Sequence, residues 1–217
     1  MSEETRTRDS QGSAGQEEQR VRVIAVTDGD EVARHAVETA AKRLGLRTIS
    51  RSAGNPTPYT GRELVQIIKT AKQDPVLVML DDRGKAYKAQ GEQALEYLAH
   101  CPEIDLIGAV AVASNTLWAQ GVPVDFSIDR NGELVHGSVD KDGFRSAISG
   151  SVIYGDTVDV LRGLGIPIVG MGDPGKQGGR DNYHRGAPVT TKALKSLLSE
   201  LGEDAEVRRR DQSENHR

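Results

Sequence analysis

Apolar residues follow two alternating patterns between residues 21 and 201. Mainly apolar runs of strand length occupy residues 21–26, 76–80 and 104–113, of which 76–80 is continuous, and such runs are typical of strands that are covered on both faces. Between these runs, apolar residues recur at helical spacing, as in Val32, Ala33, Ala36, Val37, Ala40 and Leu44. The alternation predicts an α/β fold, a three-layer sandwich around a mainly parallel sheet that is Rossmann-like in its first half.

The pattern changes in the second half of the chain. Residues 122–128 and 134–139 flank an Asn131-Gly132 pair, the strongest short-range signal for a β-hairpin. We therefore expect an antiparallel hairpin insert there. A short helix capped by Asp156 and a last strand at 166–171 are predicted to follow.

The two ends of the chain lack a periodic apolar pattern. Residues 1–20 are rich in Glu, Gln, Arg, Ser and Thr, and the stretch after Gly202 is similarly polar. Such composition is typical of disordered segments. The predicted organisation is a disordered tail over 1–20, a single α/β domain over 21–202 and a second disordered tail over 203–217.

Composition excludes several classes of protein. The 217 residues carry a net charge of -4 and include two Phe and one Trp, so neither a basic surface nor a stacking platform for nucleic acid is expected. No apolar run approaches the roughly 18 residues of a membrane span, and we expect a soluble, cytoplasm-type chain. Cys101 is the only cysteine, which excludes an intramolecular disulfide.

Two acidic pairs follow predicted strands. Asp28 and Asp30 come after the first strand, and Asp81 and Asp82 come after the run at 76–80. Carboxylate oxygens are ligands for Mg²⁺ or Ca²⁺, so the four residues are candidate metal ligands. The alternative is that each Asp caps the helix after it by accepting backbone N–H groups.

A glycine-rich loop follows the last predicted strand. It contains Gly175, Lys176, Gly178, Gly179 and Arg180. Glycines of this kind can expose backbone N–H groups to an anion, with the two cations as counter-charges. The alternative is a surface loop whose glycines serve turns. No Ser/His/Asp or Cys/His arrangement emerges, so no catalytic residue is assigned.

The acidic pairs and the loop are expected to meet. Right-handed crossovers return parallel strands in the same direction, so their carboxyl ends share one edge of the sheet. We therefore predict that an acidic pocket at this edge faces Lys176 and Arg180. Mutual neutralisation of these charges is the alternative to a bound metal–anion pair.

Many short strings of the sequence, in order, resemble the stage V sporulation protein AE family in its soluble form. The resemblance extends from about Val21 to about Leu201. The strings are VTDGD (26–30), SAGNPT (52–57), PVLVM (75–79) before Asp81-Asp82, GEQA (91–94), GAVAVAS (108–114), VDFSIDR (124–130), GDTV (155–158) and GGRD (178–181).

The resemblance implies a function in spore-forming bacteria. Membrane proteins encoded beside this family move dipicolinic acid, usually with calcium, into and out of the spore. A member is thus expected to be a soluble accessory or regulatory component of that machinery in sporulation and germination. It would lie peripherally at the spore inner membrane, with the membrane proteins as partners.

A weaker likeness concerns the first half of the chain. An acidic turn after strand one and an acidic pair after a later strand are similar to Toprim domains, which bind magnesium through a Glu and an Asp-x-Asp pair. Here Asp28 and Asp30 replace the Glu, and Asp81-Asp82 lacks the spacer. This likeness implies the alternative function, a magnesium-dependent phosphoryl or nucleotidyl enzyme or a nucleotide sensor.

Overall fold

A computed structural model of the chain describes residues 20–84, 88–115, 119–146 and 150–214, with side chains described as far as residue 202. The disordered tail predicted for residues 1–20 lies almost entirely outside the described residues.

Most of the strands form one seven-stranded sheet in the order β2-β3-β1-β4-β9-β6-β7. The strands at its centre are parallel: β1 pairs with β3 on one side and with β4 on the other, and β4 pairs with β9. The predicted α/β class and the parallel arrangement of the three apolar runs are therefore confirmed. The strands are β1 Val21–Val26, β2 Arg47–Thr48, β3 Val76–Met79, β4 Ile104–Ala113, β5 Val122–Pro123, β6 Phe126–Ile128, β7 Leu134–Val135, β8 Val152–Ile153 and β9 Ile168–Gly172.

Four α-helices begin and end where local chemistry favours it. The first starts at the N-cap Asp30 and ends at Gly45, which adopts the left-handed conformation that glycine tolerates best. The second starts with a capping box, in which Thr60 accepts from the Glu63 N–H and Glu63 accepts from the Thr60 N–H. The helices are α1 Glu31–Leu44, α2 Gly61–Ile68, α3 Gln90–His100 and α4 Pro188–Glu214.

Two apolar clusters, one on each face of the sheet, make up the core. One cluster joins the sheet to α2 and α3 and includes Leu64 and Leu95. The other joins it to α1 and α4 and includes Val37 and Leu194. Helices therefore cover both faces, which is the predicted three-layer arrangement and explains why β1, β3 and β4 are apolar at nearly every position.

The hairpin insert is only partly as predicted. Strands β6 and β7 are antiparallel around Asn131-Gly132, but β6 also joins the main sheet parallel to β9. Strand β5 pairs instead with β8 in a separate two-stranded antiparallel sheet. The hairpin thus extends the parallel sheet because β6 can use its free edge to bond β9.

One predicted boundary was wrong. Asp156 does not cap a helix; its carboxylate accepts a hydrogen bond from the Gly84 N–H at 2.6 Å, and the next helical turn is a 3-10 segment at Asp159–Leu161. Helix α4 continues past residue 202, the predicted end of the domain, to Glu214, and the disordered tail over 203–217 stays a prediction. A glycine inside a helix costs only about 1 kcal/mol, and Glu, Ala and Arg after it are helix-forming residues.

Candidate functional site

The carboxyl ends of β1, β3 and β9 carry four aspartates. Asp28 and Asp30 follow β1, Asp81 follows β3, and Asp173 follows β9. Burial, followed by the charges of the other three, raises the pKa of Asp28, so each of the other three carboxylates acts on Asp28. We call Asp28, Asp30, Asp81 and Asp173 the acidic cluster.

Backbone N–H groups occupy much of the acidic cluster. Asp30 accepts from Ala33 at 2.8 Å as the N-cap of α1, and Asp28 accepts from the Asp30 N–H at 3.2 Å. Asp81 accepts from Arg83 at 2.9 Å and from Gly29 at 3.4 Å. Because Gly29 belongs to the turn after β1, the last bond joins the ends of β1 and β3. Asp30 therefore has the capping role given above as the alternative to metal ligation, whereas Asp28 and Asp81 accept from N–H groups in the turns after β1 and β3.

The glycine-rich loop supplies the counter-charge of the cluster. The Lys176 ammonium donates to Asp173 at 2.5 Å, and this hydrogen bond, with the charges of Asp173, Asp28 and Asp30, raises the pKa of Lys176. The predicted meeting of the loop with the acidic residues is therefore observed for Lys176. The contact is the mutual neutralisation considered from the sequence.

Neutralisation of the acidic cluster is incomplete. Burial, followed by the charges of Asp30, Asp173 and Asp81, raises the pKa of Asp28 well above its ordinary value. Burial is also the largest cause that raises the pKa of Asp81 to about 6, and the charges of Asp156 and Asp30 add to it. Carboxylates that are desolvated beside other carboxylates favour the protonated form.

Asp82 turns away from the acidic cluster. Its buried carboxylate accepts from the N–H groups of Gly91 at 2.5 Å and Glu92 at 2.7 Å, at the start of α3. The Thr157 hydroxyl donates to it at 3.2 Å. Asp82 is therefore a helix cap, and the structure brings together three of the four predicted metal ligands, with Asp173 added.

Metal binding by these residues stays a prediction. Among residues 20–84, 88–115, 119–146 and 150–202, no three His, Cys, Asp or Glu side chains are arranged to hold a metal ion. The carboxylate oxygens at the carboxyl edge instead mostly accept hydrogen bonds from backbone N–H groups and from Lys176.

The remaining predicted anion-binding residues are divided between two places. The Gly175 N–H donates to Asp173 at 2.8 Å, within the acidic cluster. Gly178 and Gly179 both have positive φ, and a Cβ on Gly178 would stand 2.8 Å from the Arg130 guanidinium. Arg180 lines a separate cavity beside the β6–β7 turn. Lys176 and Arg180 were predicted to face one pocket, but Lys176 lies at the acidic cluster and Arg180 lines the separate cavity.

The cavity beside Arg180 holds residues that sequence reasoning missed. We call it the arginine cavity; it has a volume of about 550 Å³ and its lining includes Asp129, Arg130, Gly143, Phe144, Arg145 and Arg180. Three separate loops supply the arginines, so no sequence spacing indicated their meeting. Asp173 was also missed, although its place directly after β9 is the signal that singled out Asp28 and Asp81.

The topology and the helix-covered sheet define a doubly wound α/β protein, with polar groups gathered where its parallel strands end. The model of the family described as stage V sporulation protein AE1 matches residues 22–200. The chain belongs to that family, as its sequence strings indicated, and has a sporulation-related role.

Comparison with curated proteins found no match, and no solved structure matches either. The likeness to Toprim domains accordingly has no support beyond the sequence pattern. None of the helices in the described part of the chain combines the length and the apolar character that crossing a bilayer requires.

Proposed function

We propose that this chain is an accessory or regulatory component of the machinery that moves dipicolinic acid in sporulation and germination, acting without catalysis of its own. The family match over residues 22–200 carries the proposal, since the resemblance implies partners that transport calcium dipicolinate. In this proposal the chain lies peripherally at the spore inner membrane, docked on those membrane proteins.

The contacts at the carboxyl edge support a non-catalytic role. Asp30 and Asp82 cap helices, and Lys176 is paired with Asp173. Residues committed to caps and ion pairs have few remaining groups with which to hold a reacting substrate. A protein that only docks on its partners does not need such groups.

Capture from sporulating cells tests the proposal. The full chain, tagged and crosslinked in place, should enrich membrane proteins of dipicolinic acid transport over the tag alone. Recovery without those proteins, at the stage when dipicolinic acid is accumulating, would contradict docking on the transport machinery.

One observation favours a second candidate, a magnesium-dependent phosphoryl or nucleotidyl enzyme or a nucleotide sensor. Burial, followed by the charges of neighbouring carboxylates, raises the pKa values of Asp28 and Asp81 at the ends of β1 and β3, and a divalent cation would offset the repulsion between these carboxylates. The accessory role remains the stronger candidate because the family match supports it.

Calorimetry separates the two candidates. Magnesium nucleotides and calcium dipicolinate are titrated into the wild-type chain, into an Asp28→Ala, Asp81→Ala double variant, and into the control Asp105→Ala at an exposed strand position. Heat from magnesium nucleotides that disappears only in the double variant would establish the second candidate. If magnesium nucleotides give no heat, the acidic cluster has a structural role and the second candidate is excluded.

A further inference from the structure

The arginine cavity has more positive than negative charge. Three arginines and one aspartate line it, an excess of two positive charges in a chain whose net charge is -4. Positive charge gathered in a concave site on an acidic protein attracts anions.

Asp129 does not neutralise this excess. Its buried carboxylate accepts from the backbone N–H groups of Asn131 at 2.9 Å and Glu133 at 3.0 Å and from Arg145 Nε at 3.1 Å. Although burial acts in the opposite direction, these bonds lower the pKa of Asp129. The carboxylate of Asp129 is thus already bound by the β6–β7 turn and by Arg145. Neither Arg130 nor Arg180 has a carboxylate partner in the described part of the chain.

The packing of the cavity wall fixes Arg130 in position. Its Nη2 donates to the Gln177 carbonyl at 3.2 Å, and its guanidinium carbon lies 4.2 Å from the centre of the Phe144 ring. Gly143 permits the approach, since a Cβ there would lie 2.8 Å from the Arg130 Cβ. Arg130 Nε is buried and has no hydrogen-bond partner among the residues that the structure describes, so one donor of the guanidinium is unsatisfied.

Phe144 is the unusual member of the lining. It is 55% exposed, although a large aromatic side chain gains most by burial. A guanidinium stacked on an aromatic ring offers a flat surface on which a planar ligand can stack. A small tetrahedral anion would make no use of that surface.

We propose that the arginine cavity binds a planar organic dianion, an aromatic ring that carries two carboxylate groups. The ring stacks against Phe144 and Arg130, and the carboxylates accept from the guanidinium groups that line the cavity, which match carboxylate geometry. This inference deepens the proposed function and rests on it for the choice of dipicolinate as the first probe. The site is separate from the acidic cluster.

Calorimetry on the full chain at low salt tests the site with four probes. Dipicolinate is used without calcium; isophthalate has the same arrangement of carboxylates but lacks the metal-chelating ring nitrogen. Glutarate is a flexible aliphatic dicarboxylate, and inorganic phosphate represents a tetrahedral anion. We expect equimolar binding of both aromatic dicarboxylates, weaker binding of glutarate and no measurable binding of phosphate.

Two variants locate the binding. Arg180→Gln removes an exposed guanidinium that holds no other described group, so it should fold normally and weaken the aromatic dicarboxylates at least about tenfold. Arg62→Gln, an equal charge change on the exposed face of α2, should leave binding unchanged. Phe144→Leu should weaken the aromatic probes but not glutarate.

Three outcomes would overturn the inference. These are no heat from either aromatic dicarboxylate, phosphate binding as tightly as isophthalate, and equal losses in Arg180→Gln and Arg62→Gln. None of them bears on the capture of membrane partners, which tests the proposed function separately.

Discussion

At the carboxyl edge of the sheet, the acidic cluster follows β1, β3 and β9, whereas the arginine cavity follows β6. In the cluster, Lys176 neutralises the charge only in part, but the carboxylates already accept hydrogen bonds from nearby backbone N–H groups and from Lys176. In the cavity, Arg130 and Arg180 have no carboxylate partner among the described residues, and an aromatic ring is exposed beside them. A concentration of charge therefore indicates a ligand site only where the surrounding structure leaves that charge unsatisfied.

The largest predicted effect concerns Asp82, the aspartate that the sequence grouped with the cluster. Asp82→Ala leaves the N–H groups of Gly91 and Glu92 without their acceptor, and should lower the free energy of unfolding by about 3 kcal/mol. Asp30→Ala, which removes a single cap bond on α1, should cost about 1 kcal/mol. Urea denaturation measures both, and equal losses would contradict the assignment of Asp82 as a buried cap.

A second prediction tests the wall of the arginine cavity. Gly143 has φ +75°, and an added Cβ would lie 2.6 Å from Gln177 Oε1. Gly143→Ala should therefore destabilise the chain by about 2 kcal/mol and abolish anion binding. Gly132→Ala is the matched control because its φ is +80° with nothing within 4 Å. It should cost about 1 kcal/mol and keep anion binding, and a similar loss of binding in both variants would contradict close packing as the cause.

A third prediction concerns pH. The pKa of Asp28 is raised in the folded state, so its contribution to stability is present below its unfolded pKa and is lost as pH rises through the folded value. Asp28→Asn cannot ionise, so it should be more stable than the wild type at pH 7.5, where Asp28 of the unfolded wild type has released its proton. The difference should shrink as the pH falls towards 4, because the unfolded wild type then takes that proton up again. Unfolding curves at both pH values give the result, and a stabilisation that is equal at both would exclude charge crowding.

The smallest predicted effect is at the ion pair of the cavity. Arg145 bonds Asp129 at 3.1 Å, but its side chain is 59% exposed. Exposed pairs contribute about 0 to 1 kcal/mol, so Arg145→Gln should change the midpoint of thermal unfolding only slightly. A large fall would mean that Arg145 serves stability and has no charge to offer a ligand.

The parts of the fold that local patterns govern could be predicted. The apolar runs of β1, β3 and β4 were found as strands, as expected. The end of α1 at Gly45 and the capping box at Thr60 likewise depend only on neighbouring residues. The parallel pairing of β6 with β9 could not be predicted, because a short strand with two open edges carries no signal of its partner.

The candidate site divides in the same way. The grouping of Asp28, Asp30 and Asp81 could be predicted, because parallel strands have their carboxyl ends at one edge of the sheet. The direction of the Asp82 side chain could not be predicted, because it depends on where α3 starts. The arginine cavity was missed because Arg130, Arg145 and Arg180 come from three loops. Their meeting depends on the left-handed turns at Gly143, Gly178 and Gly179, which the sequence shows only as glycines.

The most direct test of the central claim is the dipicolinic acid content and release rate of spores from a host strain that lacks this chain, compared with the same strain complemented with the wild type. Loss of the chain should change the dipicolinic acid content of mature spores or its release rate on germination, and complementation should restore both. Spores with unchanged content and unchanged release kinetics would contradict a function in dipicolinic acid transport.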